Sequence, residues 1–139
     1  MGAFIHRSNQ DFDFAAEMEK TFHLFPLLCE RLNQDASTLS GGEQQMLAIG
    51  MALILKPALL LLDEPLLGLS PMMQTMLIDA ITNLRKESGI TILITEQFAR
   101  PVLPVIDRGY VIENGMLALS GTGEELMDNP EIKSAYFGI

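Results

Sequence analysis

The fold is decided by residues 39–71, LSGGEQQMLAIGMALILKPALLLLDEPLLGLSP. Within this stretch, residues 58–62 form a short apolar run that is closed by two acids, Asp63 and Glu64. A run of this length and composition predicts a buried strand of a parallel sheet, with the acids at its carboxyl end. Ligand sites in open α/β sheets lie at that edge. We therefore expect an α/β fold whose chemistry is centred on Asp63 and Glu64.

A helix is predicted directly before this strand. Ser40 is placed to cap a helix over about residues 41–55, and Glu43, three positions on, completes a capping box. Gly41 and Gly42 are unexpected there, because each costs roughly 1 kcal/mol relative to alanine. Bare glycine amides at a helix start let a phosphate approach, and the helix dipole favours the anion. The structural alternative is a capped helix and a core strand whose final acids only begin a turn.

Three motifs occur in this stretch, LSGGEQQ, LLLLDEP and GLSP. Together they resemble the signature motif, the Walker B motif and the D-loop of the ATP-binding-cassette (ABC) ATPases. Further similarity, from residues 2–4 through TEQ at 95–97 to the closing residues 134–139, is to the shorter of the two paired ATPases of branched-chain amino-acid importers. The resemblance implies a partial P-loop NTPase domain with a mostly parallel sheet, flanking helices and part of the helical subdomain.

The P-loop pattern GxxxxGK[ST] does not occur in the 139 residues, and none of the four lysines follows a glycine. By resemblance the chain is expected to be the C-terminal portion of one ABC ATPase domain. Residues 1–57 would form the helical subdomain, and residues 58–139 part of the RecA-like core with its C-terminal hairpin and helices. A missing strand would then lie beside residues 90–95 and leave an unpaired sheet edge. We expect the isolated chain to self-associate through that edge or to be only partly stable.

The resemblance assigns the cofactors, ATP and Mg²⁺, to particular residues. Asp63 is expected to hold Mg²⁺, in part through water, and Glu64 to polarise the water that attacks the γ-phosphate. Gln97 occupies the position of a switch histidine. Its amide can hydrogen-bond phosphate or water but cannot become cationic near neutral pH. Asp63 is thus the metal candidate, and Glu64 and Gln97 are the catalytic candidates.

The nucleotide-binding candidates are the signature residues Ser40, Gly41, Gly42 and Glu43. The resemblance implies that this motif binds the γ-phosphate of a nucleotide held mainly by a second ATPase subunit in a head-to-tail dimer. It also implies membrane-spanning permease subunits as partners, because the ATPases of this family work beneath them.

Composition narrows the class of protein further. The formal charge of −9 argues against a nucleic-acid surface, which needs a basic patch. The longest apolar stretch, residues 46–55, is shorter than the about 20 residues of a membrane-spanning helix, and MGAFIHRSNQ lacks the apolar core of a signal peptide. A single cysteine, Cys29, permits no internal disulfide. The expected location is cytoplasmic, peripheral at the inner face of the plasma membrane through the permease subunits.

Two more helical regions are predicted. Residues 11–32 suit an amphipathic helix interrupted near Pro26. Its apolar stripe, which we interpret as core, consists of Phe14, Met18, Phe22 and Phe25. A second helix is expected to begin at Pro71 and to stop at Gly89.

Short sequence patterns in the last third of the chain predict a strand, a hairpin and short helices. Residues 90–95 predict a second buried strand, and Asn114-Gly115 predicts a hairpin between residues 108–113 and 116–120. The remaining signals are a short or late-starting helix near Pro101 and Pro104, a capping box formed by Thr122 and Glu125, and a last helix from Asn129-Pro130.

Three functions are compatible with these patterns. The first is an ATP-binding and ATP-hydrolysing subunit that energises branched-chain amino-acid import, here truncated before the signature region and inactive as an isolated chain. The alternative is a catalytically inactive ABC-domain fragment that acts as an interaction module. A relative that acts on DNA shares the motifs, but the acidic balance and the transporter-like C-terminus argue against it. Nucleotide binding by the isolated chain separates the first two.

Overall fold

The computed structural model describes residues 12–134. Residues 2–4, Asp11 and residues 135–139, on which parts of the sequence interpretation rest, lie outside this range. The elements in order are α1 (Phe14–Leu24), α2 (Pro26–Glu30), α3 (Gly41–Leu53), β1 (Leu59–Asp63), α4 (Pro71–Ser88), β2 (Thr91–Thr95), β3 (Gly109–Glu113), β4 (Met116–Gly121), α5 (Gly123–Asp128) and α6 (Pro130–Ile132). Short 3-10 turns cover Ala36–Thr38 and Leu103–Val105. The chain divides into two compact units between Thr95 and Glu96.

The first unit begins with the predicted interrupted helix, because α1 stops at Leu24 and Pro26 begins α2. The predicted apolar stripe is wrong in part. Phe25 is buried, whereas Phe14 is 45% exposed and Met18 and Phe22 are half-buried. The stripe fails because the side of α1 that packs inward is centred on smaller and polar residues.

Those inward residues of α1 are Glu17 and Thr21. A Cβ on Gly50 of α3 would lie 2.8 Å from Thr21 Cγ2, so the two helices approach closely at this glycine. Glu17 Oε1 accepts from Lys20 Nζ at 2.8 Å and from Lys56 Nζ at 3.0 Å. Burial raises the pKa of Glu17, but the hydrogen bonds and positive charge of the two lysines outweigh it and hold that pKa below its ordinary value.

The sheet of the first unit consists of β1 and β2, which pair in parallel along their whole length. The prediction of fully buried strands is wrong, because the described residues cover only one face of the sheet. Leu60 and Leu62 are buried, but Leu59, Leu61 and Leu93 are 51%, 64% and 54% exposed. Parallel sheets are usually covered on both faces. Within residues 12–134, β1 is the only strand that pairs with β2.

Helix α4 follows its sequence signals closely. Ser70 caps it and its Oγ accepts from the Met73 N–H at 3.4 Å, while Pro71 fills the first turn. Gly89 ends the helix in the left-handed conformation, at φ 65°. The buried residues of α4 are Leu77, Ile78, Ala80, Ile81 and Leu84. Because they are spaced three and four positions apart, they form one face of the helix.

The second unit contains the predicted hairpin, in which β3 and β4 pair antiparallel. Asn114 and Gly115 both have positive φ, 50° and 77°, as a two-residue hairpin turn requires. The hairpin also has a register irregularity between Val111 and Ile112 that the sequence does not signal. A small core of Leu103, Leu126 and Ile132 joins the second 3-10 turn to α5 and α6.

No helix in residues 12–134 combines the length and apolarity that crossing a bilayer requires.

Candidate functional site

The predicted signature turn is a complete capping box at the start of α3. Ser40 Oγ accepts from the Glu43 N–H at 3.4 Å, and Glu43 Oε2 accepts from the Ser40 N–H at 2.7 Å. The two bonds satisfy backbone donors at both ends of the first turn. The helix ends at Leu53, about two residues earlier than its predicted end.

Glu43 has a further partner that the sequence does not reveal. Arg31, which follows α2, donates from Nε to Glu43 Oε1 at 3.2 Å. Hydrogen bonds from Ser40 hold the pKa of Glu43 below its ordinary value, and Arg31 lowers it further. Both carboxylate oxygens of Glu43 are therefore engaged within the protein, so this side chain orders the turn.

The two glycines of the turn have different surroundings. An added Cβ on Gly42 would lie 2.5 Å from Met73 Cε and 3.2 Å from Met73 Cγ. An added Cβ on Gly41, in contrast, would lie more than 4 Å from every atom of the described residues, apart from its chain neighbours and the adjacent backbone of its own helix. The interpretation that both glycines are small to admit a phosphate stays a prediction, and the packing gives a second reason for a glycine at one of the two positions. Packing against the first turn of α4 explains Gly42, and only Gly41 borders open space.

The second group of candidates lies at the carboxyl end of β1, as predicted. Asp63 is exposed, and its Oδ1 accepts a hydrogen bond from the Thr95 hydroxyl. Glu64 is partly exposed and has a positive φ of 44°, and its N–H donates to the Thr95 carbonyl at 2.9 Å. The last residue of β2 thus contacts both acids. Neither the strand pattern nor the acids themselves pointed to Thr95.

Gln97, the other catalytic candidate, is exposed and belongs to the second unit. The structure groups the remaining candidates in two sets within the first unit. Ser40, Gly41, Gly42 and Glu43 share one capped turn, and Asp63 and Glu64 share the contact with Thr95.

Asp63 has the chemistry that Mg²⁺ prefers, because its carboxylate is exposed and Thr95 engages only one of its oxygens. In the part of the chain that is described, no three His, Cys, Asp or Glu side chains converge on a metal position. A site with one carboxylate is normal for Mg²⁺, which completes its shell with water and substrate phosphates. Asp63 therefore fits the ion as a single protein ligand.

Comparison with known proteins finds relatives of this chain in sequence and in structure. Residues 4–67 match the ABC transporter family. An ATP-binding cassette of an ABC transporter, solved in its ADP conformation, superimposes with a TM-score of 0.75 at 30% identity, over 91% of this chain and 50% of that one. The chain has part of the α/β fold of ABC ATPase domains, and its sequence is similar to the ABC transporter family.

The names of similar proteins indicate a narrower class, the ATP-binding proteins of branched-chain amino acid transport. The high-affinity branched-chain amino acid transport ATP-binding protein BraG of Pseudomonas aeruginosa is 49% identical over 138 residues, which is 99% of this chain and 58% of BraG. A LivF protein of Archaeoglobus fulgidus, described as a probable branched-chain amino acid transport ATP-binding protein, is 39% identical over 115 residues, 83% of this chain and 49% of LivF. The chain thus spans about half the length of the curated relatives it matches.

Proposed function

We propose that the chain is part of an ATP-binding and ATP-hydrolysing subunit that energises branched-chain amino-acid import. The observation that carries this proposal is the pair Asp63 and Glu64 at the carboxyl end of a parallel strand, both in contact with Thr95. The names of the relatives supply the substrate class. The sequence here corresponds to about half of such a subunit, and we expect the isolated chain not to hydrolyse ATP.

Asp63 is the residue that would hold Mg²⁺, which when bound supplies positive charge to the phosphates. Glu64 would orient the attacking water and accept its proton, since a carboxylate beside the phosphate can do both. The turn formed by Ser40, Gly41 and Gly42 would donate to the γ-phosphate, with Glu43 fixing the shape of the turn. Gln97 would hydrogen-bond water or phosphate as a neutral amide.

The proposed partners follow from the same assignment. A signature turn that binds the γ-phosphate of a nucleotide held elsewhere requires a second ATPase subunit, arranged head to tail. Membrane-spanning permease subunits would hold the pair at the inner face of the plasma membrane. We infer no nucleic-acid partner, because the chain carries a formal charge of −9.

Calorimetric titration of Mg-ATP into the 139-residue chain is the first test, with Glu64→Gln as the variant that suppresses turnover. We expect no hydrolysis by either protein and no binding of micromolar strength. The second step adds the chain to an ABC ATPase subunit that has its own P-loop. Extra ATP turnover that Ser40→Ala abolishes supports the proposal, and turnover identical to that of the subunit alone contradicts it.

The interaction-module alternative is favoured by one observation, the exposed leucine face of the sheet. Leu59, Leu61 and Leu93 are each more than half exposed beside the open edge of β2. This surface suits self-association, and the expected result is an oligomer in size-exclusion chromatography with light scattering. A compact, stable monomer would remove this alternative and the sequence-based expectation with it.

A further inference from the structure

We propose that Thr95 is a positioning residue that orients both acids of the ATPase site, Asp63 through its hydroxyl and Glu64 through its carbonyl. The inference rests on the proposed function, because it takes those acids as the metal and water residues. It adds a residue from the neighbouring strand that belongs to none of the three motifs.

The first contact is between side chains. Asp63 and Thr95 are the last register pair of the parallel strands, so their side chains emerge side by side on the same face of the sheet. The Thr95 hydroxyl donates to Asp63 Oδ1. A threonine side chain is stiff about χ1, and a hydrogen bond to a carboxylate is stronger than one between neutral groups. Thr95 therefore fixes the carboxylate rotamer and leaves Oδ2 available to a cation.

The second contact is through the backbone. The Thr95 carbonyl accepts from the Glu64 N–H at 2.9 Å, one residue beyond the end of the parallel pairing. Glu64 has φ 44°, a conformation that residues other than glycine rarely adopt. Its own carbonyl accepts from the Leu67 N–H at 3.1 Å. Both peptide groups of Glu64 are thus held, which sets the direction in which its side chain leaves the strand.

Strand β2 offers a matched control for these contacts. Thr91 begins the strand, is exposed like Thr95 and pairs with Leu59 of β1. The change Thr→Val removes a hydroxyl from the same strand and the same face at either position. Only Thr95→Val removes a bond to a site residue.

The first measurement is a double-mutant cycle without metal, using urea unfolding of wild type, Thr95→Val, Asp63→Ala and the double variant in EDTA. The expected coupling is about fivefold in the unfolding equilibrium constant, because solvent exposure of the pair offsets the gain from its charged acceptor. Thr91→Val combined with Asp63→Ala should show none. Should a variant not fold, NMR couplings that report the χ1 angle of Thr95 in the wild-type chain replace the cycle, because the bond to Asp63 holds one rotamer. Absence of the energetic coupling, or averaging of Thr95 over its χ1 rotamers, overturns the proposal.

The second measurement separates positioning from simple strand stabilisation. Titration with Mn²⁺ alone, followed by the electron paramagnetic resonance of free Mn²⁺, should show that Thr95→Val weakens binding about tenfold, the usual effect of losing a hydrogen bond to a metal ligand. Thr95→Ser should restore binding, and Thr91→Val should leave it unchanged. If the double-mutant cycle shows coupling but wild type and Thr95→Val bind Mn²⁺ equally well, the hydrogen bond is structural only. That result would overturn the positioning role. No Mn²⁺ binding to wild type would instead overturn the metal assignment of Asp63, and the positioning role with it.

Discussion

Two turns of this protein share one local design and differ in what surrounds them. Residues 40–43, Ser-Gly-Gly-Glu, and residues 122–125, Thr-Gly-Glu-Glu, each begin a helix with a glycine and close a full capping box. In each box the capping hydroxyl accepts from the N–H of the glutamate, and the glutamate accepts from the N–H of the cap. The hydrogen-bond pattern alone therefore does not distinguish a binding turn from a structural one.

The surroundings of the two turns differ. A Cβ on Gly123 would lie 2.2 Å from the Leu103 carbonyl oxygen, so that turn is closed by backbone. The equivalent first position of the other turn, Gly41, borders open space among the described residues. Glu43 is paired with Arg31, whereas no lysine or arginine of the described chain forms an ion pair with Glu125. Of the two turns, that of α3 has the exposed first glycine and the glutamate paired with a cation, and both features favour the approach of an anion.

The largest effect is expected for Gly123→Ala. The new methyl group would overlap the Leu103 carbonyl and lie 3.0 Å from the Ile106 carbonyl, and backbone cannot yield as a side chain does. We expect the free energy of unfolding of the second unit to fall by about 3 kcal/mol or more. Urea unfolding followed by circular dichroism measures it, with Gly41→Ala as the control that should be neutral or slightly stabilising. Equal losses in the two variants would contradict the difference in packing.

Gly42→Ala should have an intermediate effect, about 1 to 2 kcal/mol, because the clash is with the flexible end of Met73. Combining it with Met73→Ala should cost less than the sum of the two single changes, since the methyl group then has room. Strict additivity in urea unfolding would show that the contact between α3 and α4 does not limit this position.

Ser40→Ala and Thr122→Ala should each cost about 1 kcal/mol of stability, since each removes one capping hydroxyl of the same geometry. Thermal unfolding compares them. Only Ser40→Ala should also reduce the ATP turnover that the chain adds to a P-loop-bearing subunit. A loss of that turnover in Thr122→Ala would mean that the assay reports folding rather than the site.

The smallest effect is expected for Arg31→Gln, which leaves the capping box intact. The pKa of Glu43 lies below its ordinary value, so its contribution to stability is present above about pH 4.3 and is lost as the pH falls through the folded-state pKa. Removing Arg31 should raise that pKa part of the way, because the hydrogen bonds from Ser40 remain. Carbon-detected NMR titration of the Glu43 carboxyl measures the shift. A return of the pKa to its ordinary value would make Arg31, and not Ser40, its main cause.

The sequence was informative where a feature is local. Both capping boxes, the hairpin turn at Asn114-Gly115 and the stop at Gly89 follow from residues within a few positions of one another. Two strands of a mostly parallel sheet were also expected, from the apolar runs at residues 58–62 and 90–95, although the sequence did not indicate that they pair with each other.

The sequence was uninformative where contacts join distant segments. Arg31 and Glu43 are 12 positions apart, and Thr95 and Asp63 are 32 apart, and no spacing rule connects either pair. The stripe on α1 was misjudged for the same reason. Its inward face packs at Gly50 of α3, where an added Cβ would lie 2.8 Å from Thr21 Cγ2.

Charged residues and a proline at the two ends of strand β1 oppose amyloid-type stacking. Its apolar run, residues 58–62, follows Lys56-Pro57 and is closed by Asp63 and Glu64. Charged residues and proline that flank an apolar strand act as gatekeepers, and the half-exposed leucines of β1 make such protection necessary in the folded state too. The two carboxylates proposed to work on ATP therefore also keep the strand dispersed. The two acids would oppose strand stacking even in a chain that does not hydrolyse ATP.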